Sequence, residues 1–279
     1  MYTADQLGNS HAVKTCCCLC LRRLQHVFNT IVLNKYTGKA FYCENCGFLQ
    51  IDNPTWLDEA YSEAIAVTDT GLVMRNLALS QQLTPLLYHV FGADKHFVDL
   101  AGGTGLLVRL MRDAGLDFYW NDAYCRNIHA RGFEFSSEIG PCAAVTAFEV
   151  LEHLTNPIDF LKKAINQTQA DFLIFSTELF EGSPPQPENW WYYTFETGQH
   201  IAFYQNKTLQ FVANELGFIY SKFGQMHIFY KKQHSGLLNL YFSSNWVREK
   251  ACFMANNHLL SKTMPDHMML SAAIKQKTP

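Results

Sequence analysis

Four cysteines near the start of the sequence have the spacing of a zinc centre. Cys17 and Cys20 form one C-x-x-C pair, and Cys43 and Cys46 form a second pair that Gly47 follows directly. A C-x-x-C turn presents two thiolates to one metal ion, and zinc takes four thiolates in a tetrahedron. Glycine suits the positive backbone angle that such a turn needs. The spacing therefore predicts one structural zinc ion (Zn2+) held by these four cysteines.

Two other interpretations of the cysteines stay open. A redox-active C-x-x-C normally stands where a strand meets a helix in a thioredoxin-like unit, and neither pair has that surrounding. A chance cluster of buried thiols is the other alternative. Cys16 leaves the register of the first pair open, because Cys16, Cys17 and Cys18 are consecutive. The isolated cysteines are expected to be ordinary small apolar residues, namely Cys125, Cys142 and Cys252.

A glycine-rich turn in the middle of the chain has the form of a ligand-binding loop. The segment FVDLAGGTGLLVRL, Phe97 to Leu110, reads as a strand, a glycine turn and an amphipathic helix. Gly103 and Gly105 allow unusual backbone angles and a close approach of a ligand to the main chain. Val108 stands where a dinucleotide fingerprint needs its third glycine, and the phosphate-binding lysine motif is absent. The turn therefore favours a ligand that has an amino-acid portion and no phosphate.

An aspartate at the end of the following strand completes the predicted ligand site. Asp122 closes the strand pattern LDFYWND. At this position of a doubly wound sheet, an acidic residue accepts hydrogen bonds from ribose hydroxyls, and a carboxylate has two oxygens for them. On the pattern alone, a glycine turn beside a solvent-exposed aspartate is the alternative interpretation.

Alternating strand and helix patterns surround these residues. HFVDLA, LDFYWND, AAVTAFE and ADFLIFSTE read as strands, and GLLVRLMRDAG and NPIDFLKKAINQT read as helices. This alternation indicates βαβ units and a mostly parallel sheet. The sequence predicts an α/β fold with a doubly wound, Rossmann-like sheet, preceded by a small zinc-ribbon-like module. We expect the cysteine-rich module at residues 1–55, the α/β domain at 56–232 and a helical tail at 233–279.

Three motifs, in order along the chain, resemble one enzyme family. DLAGGTG, which begins at Asp99, is similar to the D-x-G-x-G-x-G motif of class I S-adenosylmethionine-dependent methyltransferases. AFEVLEHLTNP and the later run from Tyr193 through His200 resemble the group that contains ubiquinone-biosynthesis O-methyltransferases and sugar methyltransferases. The resemblance covers roughly residues 70 to 230. It implies that residues 56–232 form a methyltransferase domain that uses S-adenosylmethionine as its cofactor.

The resemblance also implies which residues contact the cofactor. Ala101 departs from the family motif, whose first glycine usually stands there, and the change is small enough to be tolerated. Between Asp122 and Ala144 the chain is short, so GFEF is the one candidate third strand and no residue is assigned to the adenine amino group. The implied residues are Asp99, Ala101, Gly103 and Gly105 at the methionine end, Asp122 at the ribose, and Phe148 and Glu149 beside the sulfonium or the acceptor.

Three residues are candidates for the proton transfer that accompanies methylation. His200 is the first, because histidine accepts a proton near neutral pH and a long aromatic loop precedes it. Tyr193 is the second, although its phenol needs a depressed pKa. His153 is the third, and it shares one predicted helix face with Glu149 and Glu152. The alternatives are that His153 caps a helix in the cofactor pocket and that His200 orders the loop through a backbone hydrogen bond.

Charge and composition narrow the partners and the compartment. The net charge is −3, whereas proteins that bind nucleic acid are usually basic. We therefore expect no nucleic acid as a partner. The expected methyl acceptor is a small polar molecule, such as a sugar or a saccharide-linked metabolite. No apolar run reaches the length of a membrane helix, and the first residues lack the secretory pattern. The expected location is therefore the reducing cytoplasm. The alternatives are a catalytically weak methyltransferase-fold binding protein that uses its zinc ribbon for recognition and, less favoured, an RNA methyltransferase.

Overall fold

The computed structural model describes residues 16–62 and 69–277. Residues 1–15, which make up most of the segment expected to lack a secretory pattern, lie outside the described residues. Within them, the strands are β1 (Gln25–Val32), β2 (Tyr36–Tyr42), β3 (Leu49–Asp52), β4 (His96–Leu100), β5 (Asp117–Asn121), β6 (Ala144–Ala147), β7 (Phe172–Phe175), β8 (Ala202–Phe203), β9 (Ile219–Phe223) and β10 (Met226–Tyr230). The helices are α1 (Leu57–Ala60), α2 (Leu72–Phe91), α3 (Leu106–Asp113), α4 (Pro157–Thr168), α5 (Asn206–Glu215), α6 (Ser235–Ser243), α7 (Asn245–His258) and α8 (Thr263–Lys277).

The larger sheet has six strands in the order β5-β4-β6-β7-β10-β9. β4 pairs in parallel with both β5 and β6, and every residue of β7 is buried. Parallel strands covered by helices on both faces read as continuous apolar runs, which explains why these segments could be identified in the sequence. The predicted α/β fold with a large, mostly parallel sheet is confirmed.

The third strand of the expected order is reduced to a single contact. Glu134, in the GFEF segment, makes an isolated parallel bridge with Trp120 of β5. The backbone N–H of Trp120 donates to Phe133 O at 2.8 Å, and that of Phe135 donates to Trp120 O at 2.7 Å. The short connection leaves room for this bridge and for no longer strand.

A second sheet of four strands has the order β1-β2-β3-β8. β1 and β2 form the antiparallel hairpin expected between the two cysteine pairs, and β3 pairs antiparallel with β2. The last strand, β8, comes from far along the chain and pairs antiparallel with β3. The sheet therefore combines the N-terminal region with the segment that carries His200.

Two compact units divide the described chain. The first contains residues 16–62, 147–163 and 174–229, and the second contains residues 69–146, 164–173 and 230–277. These units follow tertiary contacts rather than the order of the chain, and the three domain ranges stay a prediction from the sequence. In the first unit, one apolar cluster contains Phe28, Val32, Ala40, Leu49, Ile51, Trp56, Ala60, Phe180, Tyr192, Tyr193, Phe195, Ile201 and Phe203.

Among the described helices, none combines the length and the hydropathy needed to span a bilayer.

Candidate functional site

The glycine turn follows β4 in a backbone conformation that explains its sequence. Ala101, Gly103 and Gly105 have positive φ angles of 52°, 55° and 82°. A β-carbon at Gly105 would lie 2.7 Å from Asn127 Oδ1, which is too close, whereas a β-carbon at Gly103 would meet no atom within 4 Å. Gly105 is therefore required by packing inside the protein. Gly103 instead leaves open space beside the main chain.

Asp99 lies at the base of this turn as a buried acid. The Thr146 hydroxyl donates to Asp99 Oδ1 at 2.6 Å. Burial raises the pKa of Asp99 to about 7, the hydrogen bond from Thr146 lowers it, and the negative charge of Asp122 raises it further. A β-carbon at Gly102 would lie 2.8 Å from Asp99 Oδ2. The turn is thus packed directly on this carboxyl group.

Asp122 follows β5 and is held by three backbone donors. Its Oδ2 accepts the Gly103 N–H at 2.9 Å, and its Oδ1 accepts the N–H groups of Tyr124 at 2.7 Å and Cys125 at 2.8 Å. The Trp120 indole N–H donates to Gly103 O at 2.8 Å. The structure thus brings Asp122, the residue predicted to contact the ribose, to the glycine turn. One lone pair of its Oδ2 is not used by these contacts.

Phe148 and Glu149 follow β6 and belong to the first unit. Glu149 has a φ angle of +54°, which is costly for a residue with a β-carbon. The Ser176 hydroxyl accepts the Glu149 N–H at 2.9 Å and donates to Glu149 Oε1 at 2.5 Å. Ser176 therefore holds both the backbone and the side chain of Glu149 in this conformation.

Glu152, His153 and His200 form a cluster in the first unit, with one ligand atom of each within 4.8 Å of the others. His153 Nδ1 donates to Gln199 O at 3.0 Å, and His200 Nδ1 donates to Tyr192 O at 2.7 Å. A carbonyl oxygen can only accept, so both imidazoles carry their proton on Nδ1 when neutral. Each Nε2 then has a free lone pair, able to take a proton or bind a metal ion.

Glu152 is the member of this cluster that the sequence reasoning missed as a site residue. It is 0% exposed, and neither carboxyl oxygen has a hydrogen-bond partner of good geometry among the described residues. Its pKa is raised to about 7, chiefly by burial and then by the Glu149 charge, whereas the charge of His200 and a hydrogen bond with the Tyr192 hydroxyl lower it. Burial also lowers the pKa of His153 and of His200. A fully buried carboxyl group with a raised pKa and no hydrogen bond of good geometry marks a candidate functional site.

Tyr193 does not occupy the position expected of a base. It is 1% exposed, its hydroxyl donates to Pro185 O at 2.8 Å, and burial raises its pKa. Its neighbour Tyr192 contacts the His200 ring instead, with centroids 4.6 Å apart. Most of the aromatic loop thus packs into the core of the first unit, while Trp191 remains 75% exposed.

The four predicted zinc ligands converge. One Sγ atom from each of Cys17, Cys20, Cys43 and Cys46 lies within 4.8 Å of the others, with Cys17 to Cys46 at 3.6 Å and Cys20 to Cys43 at 3.3 Å. The Cys46 thiol hydrogen-bonds the Cys17 sulfur and lowers the pKa of Cys17 to about 5. Gly47 has the expected positive φ of 78°.

The neighbouring thiol Cys18 is not part of the convergent set. Its sulfur donates to Gln50 Oε1 at 3.5 Å. Of the consecutive residues Cys16, Cys17 and Cys18, Cys17 is the one that belongs to the convergent set among the described residues. Four clustered sulfurs, three of them buried, fit the thiolate tetrahedron that zinc prefers.

Comparison of the sequence with models of known protein families finds one match. A family model described as a methyltransferase domain matches residues 75–220, more than half of the chain. No curated protein matches the chain in sequence.

Several solved structures are similar at low identity. The mitomycin 7-O-methyltransferase is 13% identical over 62% of this chain and 59% of its own, with a TM-score of 0.39. An O-methyltransferase family protein from Burkholderia thailandensis is 14% identical over 63% and 67%, with a TM-score of 0.39. The magnesium protoporphyrin IX methyltransferase from Synechocystis PCC 6803 is 14% identical over 63% and 91%, with a TM-score of 0.34. The chain spans only 59% of the length of the first of these proteins.

Proposed function

The chain belongs to the methyltransferase domain family, and on that basis we propose that it transfers a methyl group from S-adenosylmethionine to a small polar acceptor. The observation that carries the proposal is the glycine turn, where open space beside Gly103 adjoins the Asp122 carboxylate. The net charge of −3 favours a small acceptor, such as a sugar or a saccharide-linked metabolite, over nucleic acid.

The residues of the turn fit the cofactor in size and chemistry. When bound, S-adenosylmethionine supplies a methyl group activated by its sulfonium. The open side of Gly103 admits a ligand against the main chain, and the remaining lone pair of Asp122 Oδ2 can accept a ribose hydroxyl. The complete proposed set is Asp99, Ala101, Gly103, Gly105, Asp122, Phe148 and Glu149.

His200 is the proposed base. Its Nδ1–H donates a hydrogen bond to Tyr192 O. Its Nε2 can therefore accept the proton that leaves the acceptor as the methyl group is transferred. The lowered pKa of His200 keeps the imidazole neutral and ready to accept a proton near neutral pH. His153, held by Gln199 O, lies edge-on to His200 with ring centroids 4.9 Å apart and positions that ring. Tyr193, with its raised pKa, is the weaker candidate.

The same cluster has the donor set of a divalent metal site. Two imidazole nitrogens with their other N–H groups on backbone carbonyls, together with one carboxylate, match protein ligands of Zn2+, Mn2+ or Fe2+. The Glu152 oxygens, which have no hydrogen bond of good geometry among the described residues, favour this second role. A bound cation would supply Lewis acidity toward an acceptor hydroxyl. His200 would then be a ligand, and the pH dependence of a Glu152→Gln variant separates the two roles.

Calorimetric titration with S-adenosylmethionine tests the proposal. Gly103→Leu should abolish measurable binding, because its side chain fills the open space beside the turn. Gly224→Leu is a matched control, since Gly224 also has a positive φ (59°) and no atom within 4 Å of an added β-carbon. It should carry the same backbone strain and retain binding.

Two outcomes count against this function. Equal binding by wild-type protein and Gly103→Leu would place the ligand elsewhere. No binding by the folded wild-type protein would favour the alternative of a methyltransferase-fold scaffold that recognises partners through its cysteine module. Incubation with a metabolite extract and a cofactor labelled on its methyl group would then identify the acceptor by the label it gains.

We also propose that the four-cysteine cluster holds one structural zinc ion. The convergence of Cys17, Cys20, Cys43 and Cys46 supports this assignment. Metal analysis of freshly purified protein should find one zinc per chain, and its absence would contradict the assignment.

A further inference from the structure

The four-cysteine cluster is connected to His200 by a strand pairing inside the first unit. β3 begins three residues after Cys46, and its residue Gln50 pairs with Ala202 of β8. The Ile51 N–H donates to Ile201 O at 2.8 Å, and Ile201 directly follows His200. β8 is only two residues long, too short to hold its own position. The backbone at His200 therefore depends on β3.

A second set of contacts joins the cysteine turn to the segment after β8. The Tyr42 hydroxyl donates to Gln205 Oε1 at 3.2 Å, and Lys207 Nζ donates to Glu44 O at 2.8 Å. A β-carbon at Gly47 would overlap Gln205 Oε1. The backbone of the turn thus approaches this segment as closely as glycine permits.

A third set reaches the other members of the histidine cluster. The rings of Phe48 and Tyr204 lie 5.3 Å apart, and the Tyr204 hydroxyl donates to Leu151 O at 2.7 Å. The Ile201 N–H donates to Glu152 O at 2.8 Å. The chain that leaves the cysteine turn thereby contacts the segment with His200 directly. Tyr204 and Ile201 of that segment in turn contact the 3-10 turn that carries Glu152.

We propose that the four-cysteine centre is a positioning device for the histidine cluster: metal binding fixes the cysteine turn and β3, and β3 fixes His200 and Glu152. The inference rests on the proposed function, in which His200 is the base or a metal ligand. Binding of a structural metal stabilises the fold around it, and here that local order extends directly to the proposed active residues. Cys17, Cys20, Cys43 and Cys46 are then positioning residues, which act through β3.

The test follows His200 in the full-length chain. Cys43→Ser removes one thiolate, whereas Cys43→His retains a zinc ligand of a type that zinc accepts. We would measure zinc content, the affinity for S-adenosylmethionine, amide exchange of residues 199–205, and the 15N signals of His200, assigned with a His200→Gln variant. Cys252→Ser, an exposed cysteine on α7, is the control.

Cys43→Ser should lose zinc, exchange the amides of residues 199–205 about tenfold faster or more, and lose the single Nδ1–H tautomer of His200. Cys43→His should keep zinc and both wild-type signatures, as should Cys252→Ser. Affinity for S-adenosylmethionine should stay within about twofold of wild type, because none of the contacts in the three sets is made by one of the seven proposed cofactor residues. Zinc loss with unchanged exchange and unchanged His200 signals would overturn the inference.

A second variant keeps the inference testable if Cys43→Ser does not fold. Tyr42→Phe leaves all four thiols in place and removes only the hydroxyl that donates to Gln205 Oε1, so it should retain zinc and still exchange faster at residues 199–205. Unchanged exchange in this variant would refute the coupling. Failure of the wild-type chain to bind S-adenosylmethionine would contradict the proposed function instead, and it would leave the zinc and exchange results to decide the coupling by themselves.

Discussion

The buried carboxyl group of Glu152 gives the protein a pH-dependent stability that one substitution should remove. Its folded pKa of about 7 lies above the ordinary value of 4.5, chiefly because of burial. In the pH range between those values the folded state holds a proton that the unfolded state releases. The stabilising effect of that proton is fully present below pH 4.5 and is lost as the pH rises through about 7.

The size of the effect follows from the shift. A pKa difference of about 2.5 units corresponds to about 3 kcal/mol at 1.36 kcal/mol per unit. Glu152→Gln has nearly the same shape and does not titrate, so it should gain about 2–3 kcal/mol relative to wild type between pH 5 and pH 8. His153 and His200 titrate in both proteins, and most of their contribution cancels in the comparison.

Urea unfolding, followed by tryptophan fluorescence at pH 5 and pH 8 without added metal, measures this difference. Free-energy differences that are equal at the two pH values would refute a raised pKa at Glu152. A variant less stable than wild type at pH 8, with a deficit that grows when Zn2+ or Mn2+ is added, would show that an ionised Glu152 binds a cation. That result would make His200 a metal ligand rather than the base.

Three further substitutions test other parts of the structure. Asp122→Ala should weaken S-adenosylmethionine binding by about one to two decades, because a lost charge-assisted hydrogen bond costs about 1.5–3 kcal/mol; near-wild-type affinity in calorimetry would contradict the ribose assignment. His200→Asn should leave that affinity unchanged and lower labelled-methyl transfer by about two to four decades; normal transfer would remove His200 from the reaction. Asp266→Asn should lower the free energy of unfolding by about 3 kcal/mol, because Arg112 is buried and donates to both Asp266 oxygens at 2.8 Å. An unchanged urea midpoint for Asp266→Asn would show that Asp117 alone satisfies Arg112.

The glycine turn and the cysteine pairs could be predicted because their chemistry is local. Glycine at positions 103 and 105 reports a backbone conformation, and C-x-x-C spacing reports the reach of two thiolates within one turn. The buried apolar runs of β4 and β7 likewise report strands covered on both faces. In each case the residues whose types indicate the structure are the same residues that form it.

The histidine cluster could be predicted only in part, because its members meet through tertiary structure. The sequence spacing predicts that Glu152 and His153 share one helix face with Glu149. The structure instead gives a short 3-10 turn at Leu151–His153 and brings in His200 through the hydrogen bonds around Ile201. Nothing local in the sequence distinguishes a buried Glu152 from a solvent-exposed glutamate in a helix.

The contacts between the cysteine region and the segment that carries His200 could not be predicted from the sequence, because they join residues far apart along the chain. Read along the chain, residues 1–55 form a separate small module ahead of the α/β domain. In the structure β3 lies between β2 and β8, so the hairpin and the segment with His200 share one sheet and one apolar cluster. A two-residue strand such as β8 contributes little order of its own. The pairing with β3 therefore supplies part of the order at His200, and we propose that this part depends on the cysteine turn that precedes β3.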